Sequence, residues 1–306
     1  MENYPLVSVY TCVYNGARTL SRVFDSLKNL DYPNIEHIIV NDGSTDETDA
    51  LVQEYMQQAS YAVKYHKKEN GGKHTALNVV SDMAEGEFLL QLDADDRLLP
   101  HSVKFLVDTY YQIPEDIRDQ YWCVHGRCVT QHGTFVGDEY PSDINNLHWT
   151  QAREEAAKCK GDKVGLQVFK YRRQFRFPEV IGAFHIPENI VWNQIDKVYG
   201  IWYTNEVVLV YYVHEGNNNL TSEMTTRKQF ASRCYWNKWQ LEHPEDYSIN
   251  RMTFVRYALF YFVTEKTFRK HNKYLDGLKK HRAVLSLLFP VAFVGSIVYR
   301  ILKKVR

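Results

Sequence analysis

Apolar residues in the first third of the chain alternate between two periods. Leu6 to Val13, "LVSVYTCV", is a continuous apolar and β-branched run that stops before Asn15-Gly16, a turn dipeptide. Such a run reads as a strand buried on both faces. Leu20, Val23, Phe24, Leu27 and Leu30 then recur at helical spacing. The pattern repeats: "NIEHIIVN" reads as a second strand, and Leu51, Val52, Tyr55 and Met56 line one face of a second helix, with Ser44, Thr45 and Asp46 as candidate caps. "YAVKYHKK" is a third strand, "KHTALNVVSDMAEG" a short helix closed by Gly86, "EFLLQLD" a fourth strand, and "LPHSVKFLVDTYY" a further helix with Pro100 near its first turn.

Strands alternating with helices predict parallel βαβ units, with a sheet covered on both faces. Ligands of such sheets bind at the carboxyl ends of the strands. The chemically distinctive residues fall there. Thr11, Tyr14 and Asn15 end the first strand, and Asp42, Gly43 and Ser44 end the second. Asn70, Gly71, Gly72 and Lys73 follow the third, and Asp93, Asp95 and Asp96 follow the fourth. Crowded carboxylates repel and raise one another's pKa, a cost that a divalent cation removes. Residues two apart on extended chain share a face, so Asp93 and Asp95 could meet one ion, or one ion and a ribose. Mg²⁺ or Mn²⁺ takes one or two such hard oxygen ligands alongside phosphate. The plain alternative is a solvated turn, with Asp95 or Asp96 capping the next helix. The Gly71-Gly72-Lys73 entry could offer backbone N–H groups and a cation to an anion. Asp42 could accept from a nucleobase N–H or simply form an Asx turn. Tyr14 could stack on a base or pack.

The 306 residues carry 37 Lys+Arg against 37 Asp+Glu, which leaves no charge footprint for nucleic acid. Five cysteines in no regular framework, and no signal-like start, suit reduced thiols in the cytoplasm.

"VSVYTCVYNGARTL", "IIVNDGSTDET", "ENGGKHTALN" and "LLQLDADD" stand in the order and spacing of the family 2 glycosyltransferases, which this chain resembles over residues 5 to 110. The resemblance implies a GT-A fold: α/β, with a mostly parallel central sheet, helices on both faces, and here a helical C-terminal extension. It implies a metal-dependent hexosyltransferase with a nucleotide-sugar donor, most commonly a UDP-sugar, and inversion at the anomeric carbon. By similarity, Thr11, Tyr14, Asn15 and Asp42 contact the nucleoside side of the donor. Lys73 lies near the base or diphosphate, Asp93 near the ribose or metal, and Asp95 is the main ligand of Mn²⁺ or Mg²⁺. Residues 1–222 would form the catalytic domain, with 1–110 the donor half and 111–222 the acceptor half. Residues 223–306 would form a helical C-terminal region.

In the second half, "YWCVHGRCVTQHGTFVG" reads as two strands around a turn; its Cys and His residues lack zinc-pair spacing. "KVGLQVFKYRRQF" reads as another strand. The family's acceptor-side base is commonly written Glu-Asp, and no such pair stands in the corresponding place. Glu188 in "HIPENIVW", opening a helix, is the preferred base, with Glu179 in "FPE" the competitor. His214, after "VVLVYYV", is a candidate metal or phosphate ligand.

From Ala283 to Tyr299 the chain carries no charge and is flanked by basic clusters. The stretch is short for a span of ~20 residues, so an interfacial anchor is expected, with a single span or a buried helix in a homo-oligomer as alternatives. The expected partners are a nucleotide-sugar, a glycan or polyprenyl-linked acceptor, and the cytoplasmic face of a membrane, in surface polysaccharide synthesis. Two other classes are weighed. A nucleotidyltransferase would show a Gly-rich basic loop after the first strand, which "TCVYNGART" is not. A non-catalytic sugar-binding module would tolerate loss of Asp95 and Glu188. A dinucleotide oxidoreductase lacks its G-x-G-x-x-G.

Overall fold

The structure, a computed structural model, describes residues 4–213, 230–243, 257, 258, 260 and 261. It divides into two compact units: Met1–Arg176 with Val191–Glu215, and Phe177–Ile190 with Gly216–Arg306. The segment Phe177–Ile190 thus groups with the C-terminal region, a division different from a cut at residue 222.

The first unit is built on one eight-stranded sheet in the order β3-β2-β1-β4-β7-β6-β8-β5. Its strands are β1 (Val7–Val13), β2 (Ile35–Asn41), β3 (Ala62–Lys67), β4 (Phe88–Gln91), β5 (Arg97–Leu98), β6 (Tyr121–Thr130), β7 (Lys163–Val168) and β8 (Gly200–Tyr211). The first four are mutually parallel, as the continuous apolar runs imply. Every residue of β2 and all but one of β1 are buried, whereas β3, with Lys64 and Lys67, is the edge and stays largely solvated. Beyond β4 the sheet turns mixed: β7 runs antiparallel to both β4 and β6, while β8 runs parallel to β6.

Helices α1 (Leu20–Lys28), α2 (Thr48–Gln58), α3 (Lys73–Met83) and α4 (Ser102–Gln112) fall where the 3.6-residue period puts them. Helix α1 buries Leu20, Val23, Phe24 and Leu27. Helix α2 buries Val52 and Tyr55 but leaves Met56 exposed. Short helices α5 (Glu115–Arg118), α6 (Trp149–Ala156), α7 (Phe169–Arg172) and α8 (Asn189–Ile195) follow.

The second half departs from expectation in three places. The second strand expected after the turn is reduced to an isolated bridge, Val129 to Phe135, although the chain does fold back there, with Thr130 N–H donating to Thr134 O at 2.7 Å and Val136 N–H to Cys128 O at 3.0 Å. The basic strand expected through residue 173 ends at Val168, and the chain coils into α7, which buries Phe169, Tyr171 and Arg172, whose Nη1 donates to the Phe175 carbonyl at 2.6 Å. Strand β5, two residues long, carries no periodic signal of its own and is made by pairing with β8.

In the second unit, α9 (Phe230–Glu242) packs Ala231, Cys234, Tyr235 and Leu241 with Val180, Ala183, Ile186 and Ile190 of the preceding segment. Among the described residues no helix is long and apolar enough to cross a membrane. The segment 283–299 lies outside them.

Beneath the strand ends runs a buried hydrogen-bond chain. The Thr11 hydroxyl donates to the Leu92 carbonyl oxygen at 2.8 Å, so toward the His37 ring, 3.1 Å away, it can only accept. Nε2 of His37 therefore carries the proton. Nδ1 accepts from Tyr55 at 3.1 Å, and Tyr55 in turn accepts from Tyr61 at 2.6 Å. His37 is fully buried, and burial pushes its pKa down to about 3. The unfolded chain takes up a proton near pH 6.5 and the folded chain does not, so this contribution is complete above pH 6.5 and is lost as pH falls toward 3. Between pH 7.5 and 5.0 it should cost about 2 kcal/mol of stability. Urea unfolding of the native protein and His37→Gln at the two pH values checks this. The variant should lose that much less on acidification, and an identical loss would refute the assignment.

Candidate functional site

The carboxyl ends of β1, β2, β3 and β4 form one rim because the strands are parallel and adjacent. The β1 and β2 loops are laced together. Asn15 stands at φ 53°, its Oδ1 accepts from Thr45 N at 2.8 Å, and its own N–H donates to Ser44 Oγ at 2.8 Å. Gly16 N–H donates to Thr48 Oγ1 at 2.9 Å and Ala17 N–H to Asp46 Oδ2 at 3.1 Å. Of the three candidate caps only Asp46 serves α2, accepting from Thr48 N at 3.1 Å; Ser44 and Thr45 are used by Asn15 instead. Tyr14 beside them leaves 52% of its surface exposed.

Asp42, 4% exposed, organises the third loop. Its Oδ1 accepts from Lys68 Nζ at 2.6 Å and from Gly71 N at 2.9 Å, and its Oδ2 accepts from Gly72 N at 2.7 Å. The backbone donors expected to cradle an external anion are therefore already given to this chain's own carboxylate. Gly72, at φ +90°, opens α3, and a Cβ on Gly43 would sit 2.6 Å from Asn70 N, so neither position admits a side chain without strain. With three donors already bound, the Asp42 carboxylate keeps room for about one more.

Lys73 begins α3 and donates to Asp93 Oδ1 at 2.8 Å, the same oxygen that accepts from Gln91 Nε2 at 3.1 Å. Tyr10 holds Gln91 from behind at 3.0 Å. Burial pushes the Asp93 carboxyl up, but the Lys73 ammonium and the Gln91 amide outweigh it and hold it below the usual carboxylate range. Asp96 is the opposite case. It caps no helix: α4 begins at Ser102, and Asp96 is 4% exposed, accepting from Tyr212 N at 3.0 Å. Burial, with Asp95 and Asp93 nearby, pushes it up to about 7. Asp95, between them, is partly exposed. The crowding that seemed to need a cation is thus largely relieved within the chain, by Lys73 on one flank and by burial on the other.

Leu92 to Asp96 carry the chain from β4 to β5, which lie four places apart in the sheet. At ~4.8 Å per strand that is ~19 Å, close to the full reach of the segment, yet Asp96 N donates back to Asp93 O at 3.1 Å in a turn. The sheet must therefore curl, and the aspartate turn crosses the ends of the intervening strands. Burial, with Asp96 and Asp162 nearby, pushes the Cys128 thiol of β6 up to about 12, which fits this path.

Thr11 is wholly inside, its hydroxyl committed to Leu92 and His37, so it supports the rim and does not line it. His214 lies outside the described residues. Glu188 is partly buried just before α8 and Glu179 is exposed; both stand in the second unit. Lys68, Gln91, Arg22 and Tyr212 escaped sequence reasoning. Lys68, one residue before "ENGG", was the legible one, since a cation there faces Asp42 across a parallel register (Asn41 beside Lys67). Among the described residues no three His, Cys, Asp or Glu side chains form a metal cage. A Mg²⁺ or Mn²⁺ site completed by diphosphate oxygens needs fewer, and Asp95 is a hard oxygen donor of the right kind.

Residues 8–127 match the sequence family described as "Glycosyl transferase family 2". An uncharacterized glycosyltransferase of Rickettsia bellii is 39% identical over 145 residues, 46% of this chain and 20% of that protein. Chondroitin synthase of Pasteurella multocida is 33% identical over 143 residues, 46% of this chain and 14% of that protein. The chain thus spans a fifth or less of these relatives. Among solved structures, S. aureus TarS 1-349 in complex with UDP-GlcNAc superposes with TM-score 0.53 at 17% identity, over 87% of this chain and 74% of that one. The mannosyltransferase PcManGT from Pyrobaculum calidifontis, in complex with GDP-Man and Mn²⁺, gives 0.52 at 18%, over 97% and 84%. These likenesses show the GT-A fold.

Replacing Asp42 by Ala takes the acceptor from the buried Gly72 N–H and the half-buried Gly71 N–H and leaves Lys68 Nζ only the Glu69 carbonyl of these two partners, which should cost about 2–3 kcal/mol in urea unfolding. Hydrogen exchange at Gly71 and Gly72 should accelerate with it, and unchanged exchange there would show that the carboxylate does not order the loop.

Proposed function

Because the chain belongs to the family 2 glycosyltransferases, we propose that it moves a hexose from a nucleotide-sugar, a UDP-sugar first, to a hydroxyl of a glycan or lipid-linked glycan, with inversion. The observation that carries this reading is the aspartate turn at a rim of four cross-linked strand-end loops, where Asp93 is kept ionised by Lys73 and Asp95 remains partly exposed between two neutralised neighbours. That fold neighbours hold UDP-GlcNAc, and GDP-Man with Mn²⁺, supports a nucleotide-sugar and a divalent cation here.

In this reading Tyr14 offers its exposed face to the base, and Asp42 and Asn15 hold the loops beside it. Asp93 meets the ribose, and Lys73 stays within reach of the diphosphate. Asp95 holds Mn²⁺ or Mg²⁺, which when bound neutralises charge on the departing diphosphate. Glu188 takes the acceptor hydroxyl proton as that oxygen bonds to the anomeric carbon and the bond to the diphosphate breaks. No carboxylic acid is then needed on the leaving-group side, unlike in glycoside hydrolases. His214 is proposed as a further metal or phosphate contact. The charge-free C-terminal stretch 283–299, flanked by basic clusters, is proposed to rest on the cytoplasmic face of a membrane, where a polyprenyl-linked acceptor would be met.

A screen of nucleotide-sugars for nucleotide release with Mn²⁺ or Mg²⁺ tests this. Asp95→Ala should lower release about 100-fold or more, and full metal-dependent release would remove Asp95 from the site. Glu188→Gln should keep donor binding, read by calorimetry, and lose transfer by about 100-fold or more; normal transfer would exclude it as the base.

A further inference from the structure

Arg22 of α1 reaches the aspartate turn from a separate element. Its Nη1 donates to the Asp95 carbonyl oxygen at 2.5 Å, and its Cζ lies 3.4 Å from the centroid of the Tyr212 ring. Tyr212 is the first residue after β8, and its own N–H donates to Asp96 Oδ1 at 3.0 Å. The next residue is held as well: Val213 N–H donates to Gln131 Oε1 at 3.0 Å, and Gln131 Nε2 donates to the Val213 carbonyl at 3.1 Å. The turn is therefore gripped at two successive points just past the Asp95 side chain, at the residue 95 carbonyl and at the residue 96 carboxylate. Neither grip uses the Asp95 carboxylate itself.

A lone arginine bonded to a surface carbonyl would gain little after its side chain is ordered. Stacking on Tyr212 removes much of that disadvantage, because a planar guanidinium laid on a ring is already oriented for an in-plane hydrogen bond. An ammonium cannot do both. Backbone directly after the Asp95 Cα is then fixed by α1 and by the exit of β8, two separate elements.

We propose that Arg22, clasped by Tyr212, is a positioning residue that fixes where the Asp95 carboxylate stands and ties that position to the chain leaving β8. The inference rests on the reading of Asp95 as the metal ligand, but its geometric half stands alone. Arg22 touches no reacting atom. Its role is to keep a hard oxygen ligand preorganised, and a small misplacement of such a ligand weakens binding well beyond the strength of the lost contact.

Two readouts test it on the full chain: hydrogen exchange of the amides in 93–97, and Mn²⁺ binding with UDP present, followed by loss of the free-ion EPR signal. Arg22→Ala should speed exchange in the turn and raise the half-saturating Mn²⁺ about tenfold. Arg22→Lys should fail to rescue either. Tyr212→Leu should match Arg22→Ala, while Tyr212→Phe, which keeps the ring and the backbone N–H, should behave as the native protein. The double variant Arg22→Ala with Tyr212→Leu should be little worse than either single one, because the pair acts as one unit. Native exchange in Arg22→Ala, or full rescue by lysine, overturns the clasp. If Arg22→Ala does not fold, the contrast between Tyr212→Leu and Tyr212→Phe decides in its place. Asp95→Asn run alongside separates the two ideas: native Mn²⁺ binding in that variant removes the metal reading, while the exchange data still judge the clasp.

Discussion

Negative charge gathered at the ends of buried parallel strands has to be neutralised, and the rim of this protein depends on how that is done. Four carboxylates stand within a few residues of strand ends, and each is met differently. Asp42 is spent on Lys68 and two glycine N–H groups, which shapes the third loop. Asp93 is balanced by Lys73 and kept charged. Asp96 is buried, so its proton is held to about pH 7. What remains is Asp95, partly exposed, with its backbone held by Arg22.

The support beneath the rim follows the same economy of donors and acceptors. Thr11 has one proton to give and gives it to Leu92, which forces the tautomer of His37 and the direction of the Tyr55 and Tyr61 hydroxyls. Such a chain tolerates no added proton, so burial and hydrogen bonding agree in keeping His37 neutral. The carbonyl of Leu92, where the chain ends, is the last backbone group before the aspartate turn. Order in the core is thus passed to the rim through a bond, not only through packing.

Much of the first 110 residues was legible from the chain. Strands β1, β2 and β4 are continuous apolar runs because both their faces are covered, and α1 shows its buried face at a clean helical period. The rim followed from parallel order alone. The elements that complete the sheet beyond β4 were read less well. Strand β5 is two residues long, and β7 gives way to α7 where Phe169 and Tyr171 find a pocket that periodicity does not report. Thr11 was expected to follow the first strand, yet it lies within β1 with its side chain turned inward, because alternation along a strand covered on both faces carries no polar marker of which side is which.

The sequence by itself determined the fold class, the order of the first seven elements and the strand ends where chemistry gathers, since hydrophobic period and turn residues act locally. Only the tertiary structure decided what each polar group does there. Lys73 meets Asp93 across 20 residues, Asp42 meets Gly72 across 30, and Tyr212 meets Asp96 across 116. Partners that far apart leave no periodic trace, because the loops that bring them together are closed by the packing of the sheet and not by any propensity of their own.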